Sequence, residues 1–135
     1  MPLEKVIHDN VELALIVRGG DDQEGVRFFT DDNSALQVGK HYYPGHKIIK
    51  PHRHRPVKVQ RHENLKEVLY IQRGQVKVTF YDDSDRSVDH KILAEGDLIF
   101  LMSGGHGFEF LEPTAMIEVK QGPHNPESTQ RFEGK

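Results

Sequence analysis

An all-β domain is the fold class that this 135-residue sequence predicts, and three observations predict it. No stretch repeats apolar side chains at the i, i+3, i+4, i+7 spacing of a helix over about ten residues. Short runs rich in Val, Ile, Phe and Tyr recur along the chain instead, as strands require. Turn-forming clusters separate those runs: Arg73-Gly74, Asp82-Asp83-Ser84-Asp85, Glu95-Gly96-Asp97, Ser103-Gly104-Gly105 and Glu112-Pro113-Thr114. Eight to ten short strands at this spacing imply a barrel or a double-sheet jelly roll, architectures that also deal with exposed sheet edges.

Taken in order, strands are expected at 11–18, where Val-Glu-Leu-Ala-Leu-Ile-Val is almost wholly apolar, at 26–29 and at 35–43. Residues 46–49 lead into 52–54 as a further strand, and the polar stretch 55–66, RPVKVQRHENLK, reads as a loop or an excursion hairpin. The run 67–73 alternates, so Glu67, Leu69 and Ile71 share one face. Strands at 75–81, 91–93, 98–102, 106–111 and 116–120 follow. Residues 122–135 combine Pro123 and Pro126 with mostly polar side chains and lack a core face, which predicts an extended or mobile tail, or one laid on a partner subunit. The length suits a single domain, 1–135, with the barrel at about 35–120.

Composition removes several chemistries. The absence of cysteine excludes disulfides, thiolate nucleophiles, iron–sulfur clusters and Cys-rich zinc sites. No run approaches the ~18–20 apolar residues of a membrane span, and MPLEKVIHDN lacks the order of a signal peptide, so a cytoplasmic protein with no membrane partner is expected. The nine histidines are the side chains with an unperturbed pKa near neutrality, and chemistry is sought there. Net charge is −3, yet residues 40–66 hold eight bases against one acid, Glu63. Such a basic stripe suits a small anionic molecule or a solvated surface. A pI near 6.3 and a single neighbouring aromatic pair, Tyr42 and Tyr43, argue against nucleic acid.

His52-Arg53-His54 places two imidazoles two residues apart, and on a strand both project from one face and can converge on a metal ion. Glu67, at the end of a face expected to be buried, needs a partner, either a Lys or Arg or a metal cation. His106 shares a face with Phe108 and Phe110, as a hydrogen-bonded core residue or as a fourth ligand.

With these residues in place the sequence resembles the cupin superfamily, whose motifs run G-x5-H-x-H-x3,4-E-x6-G and G-x5-P-x-G-x2-H-x3-N. Gly45, His52, His54, Glu67 and Gly74 follow the first, and Gly96, Gly104 and His106 the second, over about residues 45–120. Twelve residues separate His54 from Glu67 where the motif has three or four, Met102 stands for the motif proline, and Phe110 for its asparagine. An alternative alignment uses Gln60 and His62 ahead of Glu67, which leaves His62 as a rival ligand or a residue of the barrel mouth.

The resemblance implies a single cupin-type jelly-roll β-barrel with one divalent transition metal ion (Fe, Mn, Ni, Zn or Cu) on His52, His54, Glu67 and His106. It also implies a homodimer. The expected function is that of a small-molecule enzyme, an isomerase or epimerase, a lyase or a dioxygenase, acting on a polar anionic substrate in sugar or surface-polysaccharide metabolism. Tyr43, Arg53, Arg55 and His62 are the candidate substrate contacts. The alternative is a non-catalytic, metal-dependent binding or sensor module.

Overall fold

The computed structural model describes residues 3–20, 22–58, 64–121 and 129–135. Ten strands run through them: β1 (Leu3–His8), β2 (Val11–Val17), β3 (Gly25–Phe28), β4 (Gly39–Tyr42), β5 (Glu67–Arg73), β6 (Gln75–Tyr81), β7 (Ser87–Ala94), β8 (Leu98–Leu101), β9 (Gly105–Phe110) and β10 (Ala115–Lys120). The described residues contain no helix long and apolar enough to cross a membrane. The chain divides into two compact units, Met1–Asp21 with Leu65–Lys135, and Asp22–Asn64.

In the larger unit β1-β2-β8-β5-β10 form one antiparallel sheet and β7-β6-β9 another. Alternation turns Leu69 and Ile71 of β5 inward from the first sheet and Val76, Val78 and Phe80 of β6 inward from the second, and these side chains join a single core cluster with Val6, Ile16, Leu93 and Ile99. The all-β expectation therefore holds. The sheets remain open, and among the described residues no ladder closes them into the expected barrel.

Strand β1 was not foreseen from the sequence. Val6 is its one buried side chain, so it offers almost no apolar alternation. The readable signal is Asp9-Asn10: both residues adopt left-handed backbone, φ 50° and 64°, between the paired His8 and Val11, the two-residue turn that favours Asp and Asn.

In the smaller unit β3 and β4 pair antiparallel, with Gly25 opposite Tyr42 and Phe28 opposite Gly39. Gly39 lies against the Phe28 ring, where a Cβ would approach to 2.8 Å. The connection is held by Gln37, whose amide donates to the carbonyls of Asp31 and Ser34 at 2.8 and 3.1 Å. The strand expected at 35–43 thus shortens to β4.

The strand expected at 46–49 and 52–54 does not form: residues 43–58 carry no regular structure and are largely exposed. Gly45 and His46 both have positive φ, 116° and 59°, which breaks an extended run. Pro44, Pro51 and Pro56 remove ladder donors, and Ile48 and Ile49 are exposed, so no buried face rewards pairing.

An ion network ties the first sheet to the β7–β8 turn. Asp97, only 7% exposed, accepts hydrogen bonds from the backbone of Gly19 and Ala94 at 3.1 and 2.8 Å and from Arg18 at 2.9 Å. Arg18 also donates to the Ile92 carbonyl at 2.8 Å and to Glu4, and Lys91 stands 3.4 Å from the same Glu4 carboxylate. The Arg18 hydrogen bond, opposed by partial burial and aided by Lys91, holds the Glu4 carboxyl below its ordinary value of 4.5. A carboxyl depressed in the folded state stabilises the fold above its unfolded pKa, and that contribution is lost as pH falls through the folded value. Urea melts between about pH 6 and pH 3 should accordingly lose less stability in Glu4→Gln than in the wild-type chain. An equal acid slope in both would contradict this account.

Candidate functional site

Glu67 continues the inward face of β5 beyond Ile71 and Leu69. Its neighbour β10 is in register with Met116 opposite Ile71, Glu118 opposite Leu69 and Lys120 opposite Glu67. Directly opposed residues share a face, so Glu118 and Lys120 join Glu67 on the inner side of the sheet. On the other sheet His106 is opposite Phe80 and Phe108 opposite Val78, both partners being core residues, which turns His106 and Phe108 inward as well.

At this end of the core a polar contact joins the two sheets. His106 Nε2 stands 3.0 Å from Glu67 Oε1, with both side chains about a quarter exposed, at 27% and 23%. Beside them opens a cavity of about 800 Å³ lined by Leu69, Phe108, Met116, Glu118 and Lys120 together with the pair itself. Apolar and charged side chains share its lining, and convergent polar groups in a concave site are what fix a small molecule's orientation.

The charges there are graded. The hydrogen bond with His106, opposed by desolvation and reinforced by Glu118 and by the charge of Lys120, brings the Glu67 carboxyl down to about 2. Its hydrogen bond to Glu67, together with burial and the like charge, pushes Glu118 above the ordinary carboxylate value. One carboxyl of the pair is thus a persistent anion and the other the readier proton carrier, and their titrations are linked.

Of the four expected metal ligands the larger unit supplies Glu67 and His106, and these two are in contact. His52 and His54 belong to the smaller unit, exposed, with ring centroids 5.3 Å apart at 81° and His52 Nδ1 3.0 Å from the Lys50 carbonyl. Among the described residues no group of three or more His, Asp or Glu side chains is arranged to hold a metal ion. Tyr43 is half-buried in the smaller unit, 6.2 Å from His41 between ring centroids and 5.8 Å from Lys47 Nζ, while Arg53 and Arg55 are exposed. His62 lies outside the described residues.

Glu118 went unnoticed in the sequence. Its signal is the alternation Met116, Glu118, Lys120, which sets a carboxylate on the same face as a core methionine and is readable only once that face is known to point inward. Of the tail, residues 122–128 lie outside the described residues. Residues 129–135 run exposed along the larger unit, held by Phe132 edge-on to Tyr81 at a centroid distance of 5.3 Å and by the backbone of Lys135. Comparison of the chain with protein-family models, with curated proteins and with solved structures found no match.

Proposed function

We propose that the chain is a cupin-type, jelly-roll protein that binds and transforms a small polar molecule in the cavity of its larger unit, through a divalent metal ion held by Glu67 and His106. The observation that carries the reading is the 3.0 Å approach of these two side chains from different sheets at the cavity. The donor types suit such an ion: one imidazole and one carboxylate that is anionic at any ordinary pH, without a thiolate, suit Fe, Mn, Ni, Zn or Cu, and the pair supplies two of the four expected ligands. The resemblance assigns the remaining ligands to His52 and His54.

When bound, the metal would supply Lewis-acid polarisation of a substrate oxygen. The chain's own groups supply the rest. Leu69, Phe108 and Met116 line the cavity with apolar surface beside these charged groups. Glu118, with its raised pKa, is placed to pass a proton at the cavity, which would serve an isomerase, epimerase or lyase, while the dioxygenase reading rests on the metal and on the family resemblance.

Elemental analysis of protein prepared without chelator or His-tag tests the proposal. Near-stoichiometric first-row metal is expected in the wild-type chain and its loss in Glu67→Ala, His106→Ala, His52→Ala and His54→Ala, with binding weakening as pH drops through the histidine range. A wild-type protein that takes up none of the five ions overturns the metal centre. Such a result would favour a second reading drawn from the same contact, a metal-free acid–base site in which Glu67 orients His106.

A further inference from the structure

The cavity has a wall that this chemistry does not use. Residues 129–135 lie along the larger unit as a strap anchored at its end, where the Lys135 amide donates to the Asp85 carbonyl and the Ser87 amide to the Lys135 carbonyl, each at 2.7 Å. Midway, Phe132 stands edge-on to Tyr81, with ring planes at 86°. Two glycines make room for it: a Cβ on Gly105 would lie 2.7 Å from the Phe132 ring, and one on Gly134 would lie 2.6 Å from Tyr81. Held in this way, the strap brings Arg131 to the cavity wall, which Lys120 also lines.

The cations of the cavity differ in what they already do. Lys66 donates to the Met102 carbonyl at 3.0 Å, and Lys120 acts electrostatically on Glu67 and Glu118. Arg131 is exposed and forms no ion pair among the described residues. A guanidinium presents a rigid fork that matches a carboxylate or phosphate with two parallel hydrogen bonds. Glu67 and His106 are engaged with each other, or with the metal ion proposed for them, so among the described residues the cavity group that forms no ion pair is the Arg131 guanidinium.

We infer that Arg131, carried by the 129–135 strap and assisted by Lys120, selects small organic anions, a carboxylate or a phosphate monoester, for this cavity. The inference deepens the proposed function and rests on that reading only in taking the cavity as the functional site. Metal uptake by Glu67 and His106 does not involve Arg131.

Titration calorimetry on metal-loaded protein with glucose 6-phosphate, glucuronate and glucose tests it. At least one of the two anions should bind and glucose should not, and the anion that binds identifies the headgroup. Arg131→Gln should weaken that anion by about tenfold or more, with metal content and melting temperature unchanged, and Arg131→Lys should recover part of the loss. Phe132→Ala, which frees the strap and leaves Arg131 intact, should weaken the same anion. Equal binding of glucose, failure of both anions, indifference to Arg131→Gln or loss of metal in that variant would each overturn the inference. Arg131-dependent anion binding in a protein that takes up no metal would sustain it while the metal centre fails.

Discussion

Asp97→Ala is expected to lower stability by about 3–5 kcal/mol, with a fall in Tm of roughly 10–15 °C. The Asp97 carboxylate is buried and serves three donors, the amides of Gly19 and Ala94 and the guanidinium of Arg18. Alanine leaves those donors without an acceptor where little water reaches, and each orphaned buried group costs about 1–3 kcal/mol. Arg18 keeps Glu4, which limits its own share of the loss. Asp97→Asn retains an acceptor oxygen but not the charge, so it should fall between the alanine variant and the wild-type chain. A differential scanning measurement in which Asp97→Ala melts within about 2 °C of wild type would show that the network is ornamental to the fold.

Gly74→Ala should be nearly as damaging, at roughly 2–5 kcal/mol, for a reason that concerns space and backbone together. Gly74 turns β5 into β6 with φ of 99°, in a region where an L side chain is strained. A Cβ there would also lie 2.5 Å from the Pro113 carbonyl oxygen and 2.6 Å from Thr114 Cα, both backbone atoms that cannot swing aside. The Thr114 hydroxyl beside it accepts from the Gln75 amide at 3.1 Å and donates to the Glu112 carbonyl at 2.8 Å, so displacement would break two turns at once. Thr114→Ala Gly74→Ala removes the nearest side-chain clash but not the backbone ones, and should recover only part of the loss. Full recovery in a urea melt would place the whole effect in the hydroxyl.

What the sequence disclosed follows from where burial is one-sided. β5 and β6 alternate cleanly because one face meets the core, and their limits were legible to the residue. Glu67 and His106 were legible for the same reason, since each extends an apolar face and a polar group on such a face demands explanation. β1 was hidden because it buries only Val6, and β7 was read short because Ser87 to His90 are mostly exposed. Around His52 and His54 the H-x-H spacing suggests extended backbone, whereas left-handed Gly45 and His46 and the nearby prolines prevent pairing. Asp97 carries the signal of a turn former, and its buried contacts with Gly19 and Ala94 join positions that no local pattern brings together.

The order of strands in the larger sheet also sets a schedule for biosynthesis. β2 pairs with β8, Ala14 opposite Leu101 and Val17 opposite Leu98, so one edge of β2 has no partner until the ribosome has added the residues up to 101. At 5–20 residues per second that interval is roughly 4–17 s. Through it the β1–β2 hairpin presents Leu-Ala-Leu-Ile-Val, a run buried in the finished fold, beside an open strand edge, the combination that recruits chaperones or aggregates. Nascent chains arrested before β8 should therefore be held by chaperones or lost to the pellet, and chains extended beyond β10, by which point the open edges of β5 and β6 are paired as well, should stay soluble.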